Sequence, residues 1–183
     1  ALAQLKVKRI HFHQVIGAPG ELFQLVMDAA IPYDCTLHDY AWLCPQVNLI
    51  DASRSYCGEP ADIRDCESCL RRSGNHKDWQ TFPMFAASVS ELRAFSGDFL
   101  RRAASVRAPS SDAAKRFTRY FPSARITAEP HDRIKPSKRV APRRPGEPAR
   151  VVLIGSIGLS KGYDVLYSCA RHARQNQLPL RFC

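Results

Sequence analysis

Between Arg9 and Leu37 two strand-forming runs flank one run of helical period, and the links are only a few residues long. Arg9 to Val15 (R-I-H-F-H-Q-V) alternates polar and apolar residues and stops before Gly17. Pro19 suits a first helical turn. Leu22, Phe23, Val26 and Ala29 or Ala30 then recur at steps of three and four. Ile31-Pro32 ends that helix, and Tyr33 to Leu37 follows as the next strand. Strand, helix and strand joined this tightly imply a parallel pair. His11 and His13 share one face of the first strand and read as partly buried, hydrogen-bonded histidines. Gly17, at that strand's carboxyl end, reads as a turn residue.

The second strand runs into a polar cluster, His38-Asp39-Tyr40. In open α/β sheets ligands collect outside the carboxyl ends of the strands. His38 and Asp39 are the first candidates for chemistry on that ground.

The rest of the chain keeps an α/β rhythm. Residues 41–74 have weak periodicity and read as a loop holding Cys44, Cys57, Cys66 and Cys69. A loop of that length is uncommon unless it is functional or tied down. Met84 to Ala103 reads as a helix whose core-facing stripe is Phe85, Val89, Leu92, Phe95, Phe99 and Ala103. Ser105 to Ala108 reads as a short strand. A helix capped by Ser110 or Ser111 follows, bearing Ala114, Phe117, Tyr120 and Phe121. Arg125 to Ala128 is a further strand before Pro130-His131. Residues 132–149 are rich in proline and basic side chains, without an apolar period, and read as a semi-rigid linker. No aromatics interleave there for base stacking, so a nucleic-acid arm is disfavoured. Val151 to Ile154 reads as a buried strand, Gly155 to Gly162 as a glycine-bearing loop, Tyr163 to Gln175 as a helix and Leu180 to Cys183 as another strand. The expected domains are 1–131, with the cysteine-rich loop 41–74, and 150–183, joined by 132–149.

The chain carries 27 basic and 17 acidic residues, a net charge of +10. That excess suits nucleotides, phosphorylated lipids, an anionic membrane face or nucleic acid; a solvated basic surface is the plain alternative. An apolar fraction of 45% supports a real core, and no apolar run approaches the ~20 residues of a membrane-spanning helix. A G-x-S-x-G nucleophile elbow is missing.

The loop Gly155-Ser156-Ile157-Gly158-Leu159-Ser160-Lys161-Gly162 is the sharpest candidate for a phosphate contact. A glycine loop before a helix exposes backbone N–H groups at the positive end of the helix dipole. Lys161 adds a full charge. The spacing is neither that of a P-loop nor that of a dinucleotide fingerprint. A tight turn with a surface lysine is the alternative.

The run R-V-V-L-I-G-S-I-G-L-S-K-G-Y-D-V-L resembles the opening of the second domain in the large retaining GT-B glycosyltransferase family often called group 1. T-L-H-D-Y-A-W-L-C-P and A-P-S-S-D-A-A-K-R-F-T-R-Y-F-P resemble first-domain segments of the same family, in the family's order. The resemblance implies an α/β, GT-B-type architecture of Rossmann-like domains. It implies transfer of a sugar, with retention, from a nucleotide-sugar donor to a glycan or lipid-linked acceptor in surface polysaccharide synthesis. Gly155, Ser156, Lys161 and Gly162 would lie at the donor diphosphate. Lys161 matches the family's diphosphate-binding lysine, and Ser156 stands where many members have an arginine. His38 matches the histidine near the reacting sugar, with Asp39 beside it, and Gly17 lies where an acceptor-side glycine turn is expected. The family's paired glutamates would lie beyond Cys183 and its first strand and glycine loop before Ala1, so the chain is expected to be the middle of a larger enzyme. The expected setting is cytoplasmic, with peripheral attachment to an anionic membrane.

Cys66-x-x-Cys69 has metal-ligand spacing, and Cys44 and Cys57 would complete a four-thiolate zinc site, with Asp62, Asp65 and His76 as alternative ligands. Reduced thiols in a packed loop, or a disulfide formed on oxidation, are the other readings. Cys35, Cys169 and Cys183 sit in apolar contexts and read as core thiols. The rival to a sugar transferase is a zinc-stabilised basic module that binds nucleic acid or a protein partner.

Overall fold

Four strands lie side by side in sequence order, all parallel: β1 (Ile10–Phe12), β2 (Tyr33–Thr36), β3 (Ser105–Ala108) and β4 (Ile126–Ala128). The computed structural model describes residues 6–74, 88–131, 144, 146–155, 157–158 and 161–183. The chain divides into two units, Ala1–Arg133 and Ile134–Cys183, and this sheet belongs to the first. The first unit is mixed α/β, compatible with a Rossmann-like fold.

The helices α1 (Gly20–Asp28), α3 (Val89–Arg102) and α4 (Ser111–Tyr120) fill the crossovers, with α2 (Ile63–Ser73) ahead of α3. Crossovers of this type are right-handed. A strand order that advances one step each time therefore lays its crossover helices on the same face. The register agrees. Ile10 pairs with Tyr33, Cys35 with Val106 and Val106 with Ile126, so one face is apolar. Phe12, Tyr33, Cys35, Val106 and Ala108 on that face join Phe23 and Val26 of α1, Leu92 and Phe99 of α3, and Phe117 of α4 in one buried cluster. The alternate positions are polar: His11, Asp34, Thr36, Ser105, Arg107 and Thr127.

Phe99 is the hub of the cluster. It is fully buried, and the rings of Phe12, Phe23, Tyr33, Trp42 and Phe95 stand 4.4–5.8 Å from it, centroid to centroid. The Tyr33 hydroxyl donates to the Phe99 carbonyl at 2.6 Å, so that buried polar atom is satisfied.

The helix starts follow their capping residues. Ser88 accepts from the Glu91 N–H at 3.0 Å and Ser110 from the Ala113 N–H at 3.1 Å. Ser88-Val89-Ser90-Glu91 has the S-x-x-E signature of a capping box. The described part of the expected helix 84–103 begins at Val89; Met84 and Phe85 lie outside the described residues, as does His76.

Residues 41–74 are not all loop, which corrects the sequence expectation. Ile63–Ser73 is helical, capped by Asp62, whose carboxylate accepts from the Arg64 N–H at 2.9 Å. Asp65 in the first turn and Arg71 and Arg72 in the last suit the helix dipole. None of its residues is buried, so no strong apolar stripe announced it. Read with cysteine as apolar, Ile63, Cys66 and Leu70 do step by three and four.

In the second unit β5 (Ala149–Val151) pairs in parallel with β6 (Leu180–Phe182), with α5 (Tyr163–Gln175) between them. Val151 to Ile154 is not a buried strand: β5 pairs only as far as Val151 with Phe182, and Val152 and Ile154 are 61% and 98% exposed. A two-stranded ladder offers too little surface to cover that run. Most of the expected linker, 132–149, lies outside the described residues. No helix among the described residues is long and apolar enough to cross a membrane.

Candidate active site

The carboxyl rim of the first unit's sheet gathers histidines from three strands. His13 follows β1, His38 follows β2 and His131 follows β4. The His13 and His38 rings share a hydrogen bond, Nδ1 to Nε2, at 3.2 Å. His131 stacks on His38 with ring centroids 4.6 Å apart. His11 stacks on His13 at 4.1 Å and contacts the Thr36 hydroxyl through Nε2 at 2.8 Å. Four imidazoles thus form one file along the rim and down the polar face.

The register explains the file. His11 is opposite Asp34 across the β1–β2 ladder, so His13 comes level with Thr36, and His38 lies two residues further along the second strand's exit. Both strands then leave the sheet in turns. Gly17 has φ +80°, and the Ala18 N–H returns to the Val15 carbonyl at 3.2 Å, so Gly17 serves a turn.

Asp39 links the two rim loops. One carboxylate oxygen accepts the Ala41 N–H at 2.9 Å and the other accepts from the Gln14 side-chain amide at 3.1 Å. The Gln14 carbonyl oxygen in turn accepts from the Val15 and Ile16 N–H groups. Asp39 is thus engaged in holding the loops that present His13 and His38.

Partial burial holds His38 below the ordinary histidine range, helped by the neighbouring imidazoles of His131 and His13 and opposed by Asp39. His11 is lowered the same way, by burial first and then by His13. A neutral ring in such a file donates through one nitrogen and accepts through the other. The downward shift favours the neutral form of His38, whose ring can accept a proton.

Beneath the rim, Asp34 is buried and takes two hydrogen bonds from Arg9, at 2.5 and 2.6 Å, and one from the Ser105 hydroxyl at 2.7 Å. Arg107 at the end of β3 pairs with Glu129 at 3.1 Å. Reading the sequence missed His131, Gln14 and Thr36. His131 carried a usable signal, since it stands three residues past a strand and the carboxyl-rim rule applies to every strand alike.

The glycine loop lies in the second unit. Gly155 has φ +110° and Gly162, which caps α5, has φ +75°. The Lys161 and Tyr163 N–H groups both return to the Gly158 carbonyl, at 2.9 and 3.2 Å, so the chain turns tightly into α5. Lys161 is exposed there. Ser156 lies outside the described residues.

Cys44, Cys57, Cys66 and Cys69 line one cavity of about 300 Å³ in the first unit. All four are free thiols, and no group of three or more His, Cys, Asp or Glu among the described residues is drawn close enough to hold a metal as it stands. Cys35 is buried in β2, as expected of a core thiol, whereas Cys169 and Cys183 are exposed. No protein-family model, curated protein or solved structure matches the chain.

Proposed function

We propose that the chain is part of a GT-B-type glycosyltransferase that moves a sugar from a nucleotide-sugar donor to a glycan or lipid-linked acceptor. The observation that carries this reading is His38. It stands at the carboxyl end of the central strand β2, hydrogen-bonded to His13. It also belongs to the run T-L-H-D-Y-A-W-L-C-P that resembles the first domain of that family. The tight entry into α5 after β5 supplies the second support, with Lys161 beside the αL glycine Gly162 that caps the helix.

In this reading Lys161 faces the donor diphosphate and stabilises the charge that develops on it as the sugar departs. His38 contacts the donor sugar or positions the acceptor, and Asp39 and Gln14 keep its loop in register with His13. The net charge of +10 draws the enzyme toward an anionic membrane surface bearing a lipid-linked acceptor.

Calorimetry with uridine and guanosine diphosphates tests the donor side. Lys161→Ala should weaken binding of the preferred diphosphate by about tenfold, the loss of ~1.4 kcal/mol. Unchanged affinity would remove Lys161 from the site. Heat released only on mixing with an oligonucleotide, falling steeply with salt, would favour the basic binding module instead.

A further inference from the structure

We propose that Cys44, Cys57, Cys66 and Cys69 bind one zinc ion as a closed, four-thiolate structural site. The inference is independent of sugar transfer, because the site is built from the excursion between β2 and α3.

Three separate chain segments bring these sulfurs to one cavity. Cys44 follows the turn after β2. Cys57 follows the isolated bridge between Ile50 and Tyr56, and its N–H is fixed to the Leu49 carbonyl at 2.9 Å. Cys66 and Cys69 stand three apart on α2, on adjoining positions of one helix face. The chain's remaining cysteines take no part: Cys35 is sealed in the sheet, and Cys169 and Cys183 belong to the second unit.

One sulfur is already provided with a donor. Arg93 on α3 donates to Cys66 Sγ at 3.3 Å while its Nε holds the Leu43 carbonyl at 3.1 Å. Cys66 thus already meets a guanidinium N–H, a contact that orients a sulfur ligand.

The surrounding backbone calls for a tether. Val47, Leu49, Arg54 and Glu59 all have φ between 53° and 63°, a region costly for side chains, most of all for a β-branched one. α2 buries none of its residues. Packing alone thus contributes little to fixing residues 63–73. A metal joining the Cys44 and Cys57 segments to α2 would fix all three at once. Four soft thiolates select zinc over magnesium or calcium and leave no open position for catalysis. Binding draws the sulfurs together around the ion and releases the protons of the thiols it deprotonates.

Metal analysis of the purified chain should find about one zinc per chain, four thiolates completing its tetrahedron. Replacement by cobalt(II) should give the intense visible bands of a tetrahedral site with thiolate-to-metal charge transfer. Cys69→Ser should weaken that charge transfer and Cys169→Ser should leave it intact. Arg93→Met should loosen the metal about tenfold. If Cys69→Ser does not fold, the cobalt spectrum of the unaltered chain decides alone. No bound metal and no cobalt bands, with the four thiols titrating free or joined as disulfides, would overturn the site.

Discussion

Asp34 carries an ionised carboxylate in the middle of a fully buried strand. That position is tolerable because every face of the carboxylate is met: Arg9 from β1's amino end and Ser105 from β3. The Arg9 hydrogen bond is the main cause, against the upward push of burial, that holds the Asp34 carboxyl down at about 2 from its ordinary 3.8. A carboxyl that titrates lower in the folded chain stabilises that state above its unfolded pKa. Its contribution is complete above about pH 4 and disappears as pH falls toward 2. In Asp34→Asn the fall in stability across that interval should be shallower than in the unaltered chain. Urea melts at a series of acid pH values measure it, and equal slopes would show that the pair contributes nothing.

The excursion after β2 is bound to the body of the unit at one further point. Glu59, its side chain 1% exposed, accepts from Tyr56, Arg116 and Arg119, and the two arginines belong to α4. Burial pushes the Glu59 carboxyl up, but the hydrogen bonds from Tyr56 and Arg119 and the arginine charges outweigh it, so the net shift is downward. Both guanidinium groups keep contact with water, which lowers the value of the cluster. Glu59→Ala should destabilise the first unit by about 2 kcal/mol, and amide exchange should quicken in residues 44–60 before it does in the sheet. Unchanged exchange there would mean that the loop is held by other contacts. Reading the sequence could not find Glu59, because its partners lie 57 and 60 residues away and no periodicity links them. Local signals did better. Ser110 as a cap, α5 at Tyr163–Gln175 and the β1–α1–β2 unit were legible because each depends on residues a few places apart. α2 was missed because it is held by caps and charge rather than by an apolar face. The candidate site was half legible: His38 and Asp39 follow an evident strand, while His131 joins them only once the strand order is known.

The two units differ in how much they bury. In the first, the helices seal an aromatic cluster around Phe99. In the second, Ala173 is the one buried residue of α5, and Val152, Ile154, Val165 and Tyr167 are all more than half exposed. A helix on two short strands seldom sustains itself. Amides of residues 149–183 should therefore exchange faster than those of β2 and α3, with cleavage by a dilute protease beginning there. Equal protection would mean that the second unit is held by more than its own contacts. The sheet of the first unit has a different consequence. Because β1 to β4 march in one direction, position along the rim repeats position along the chain. Each rim connection is an independent module: one can be lengthened or exchanged without re-threading the others. The cysteine-bearing excursion between β2 and β3 is such an insert, spliced beside His38 while the strands on either side of it remain neighbours.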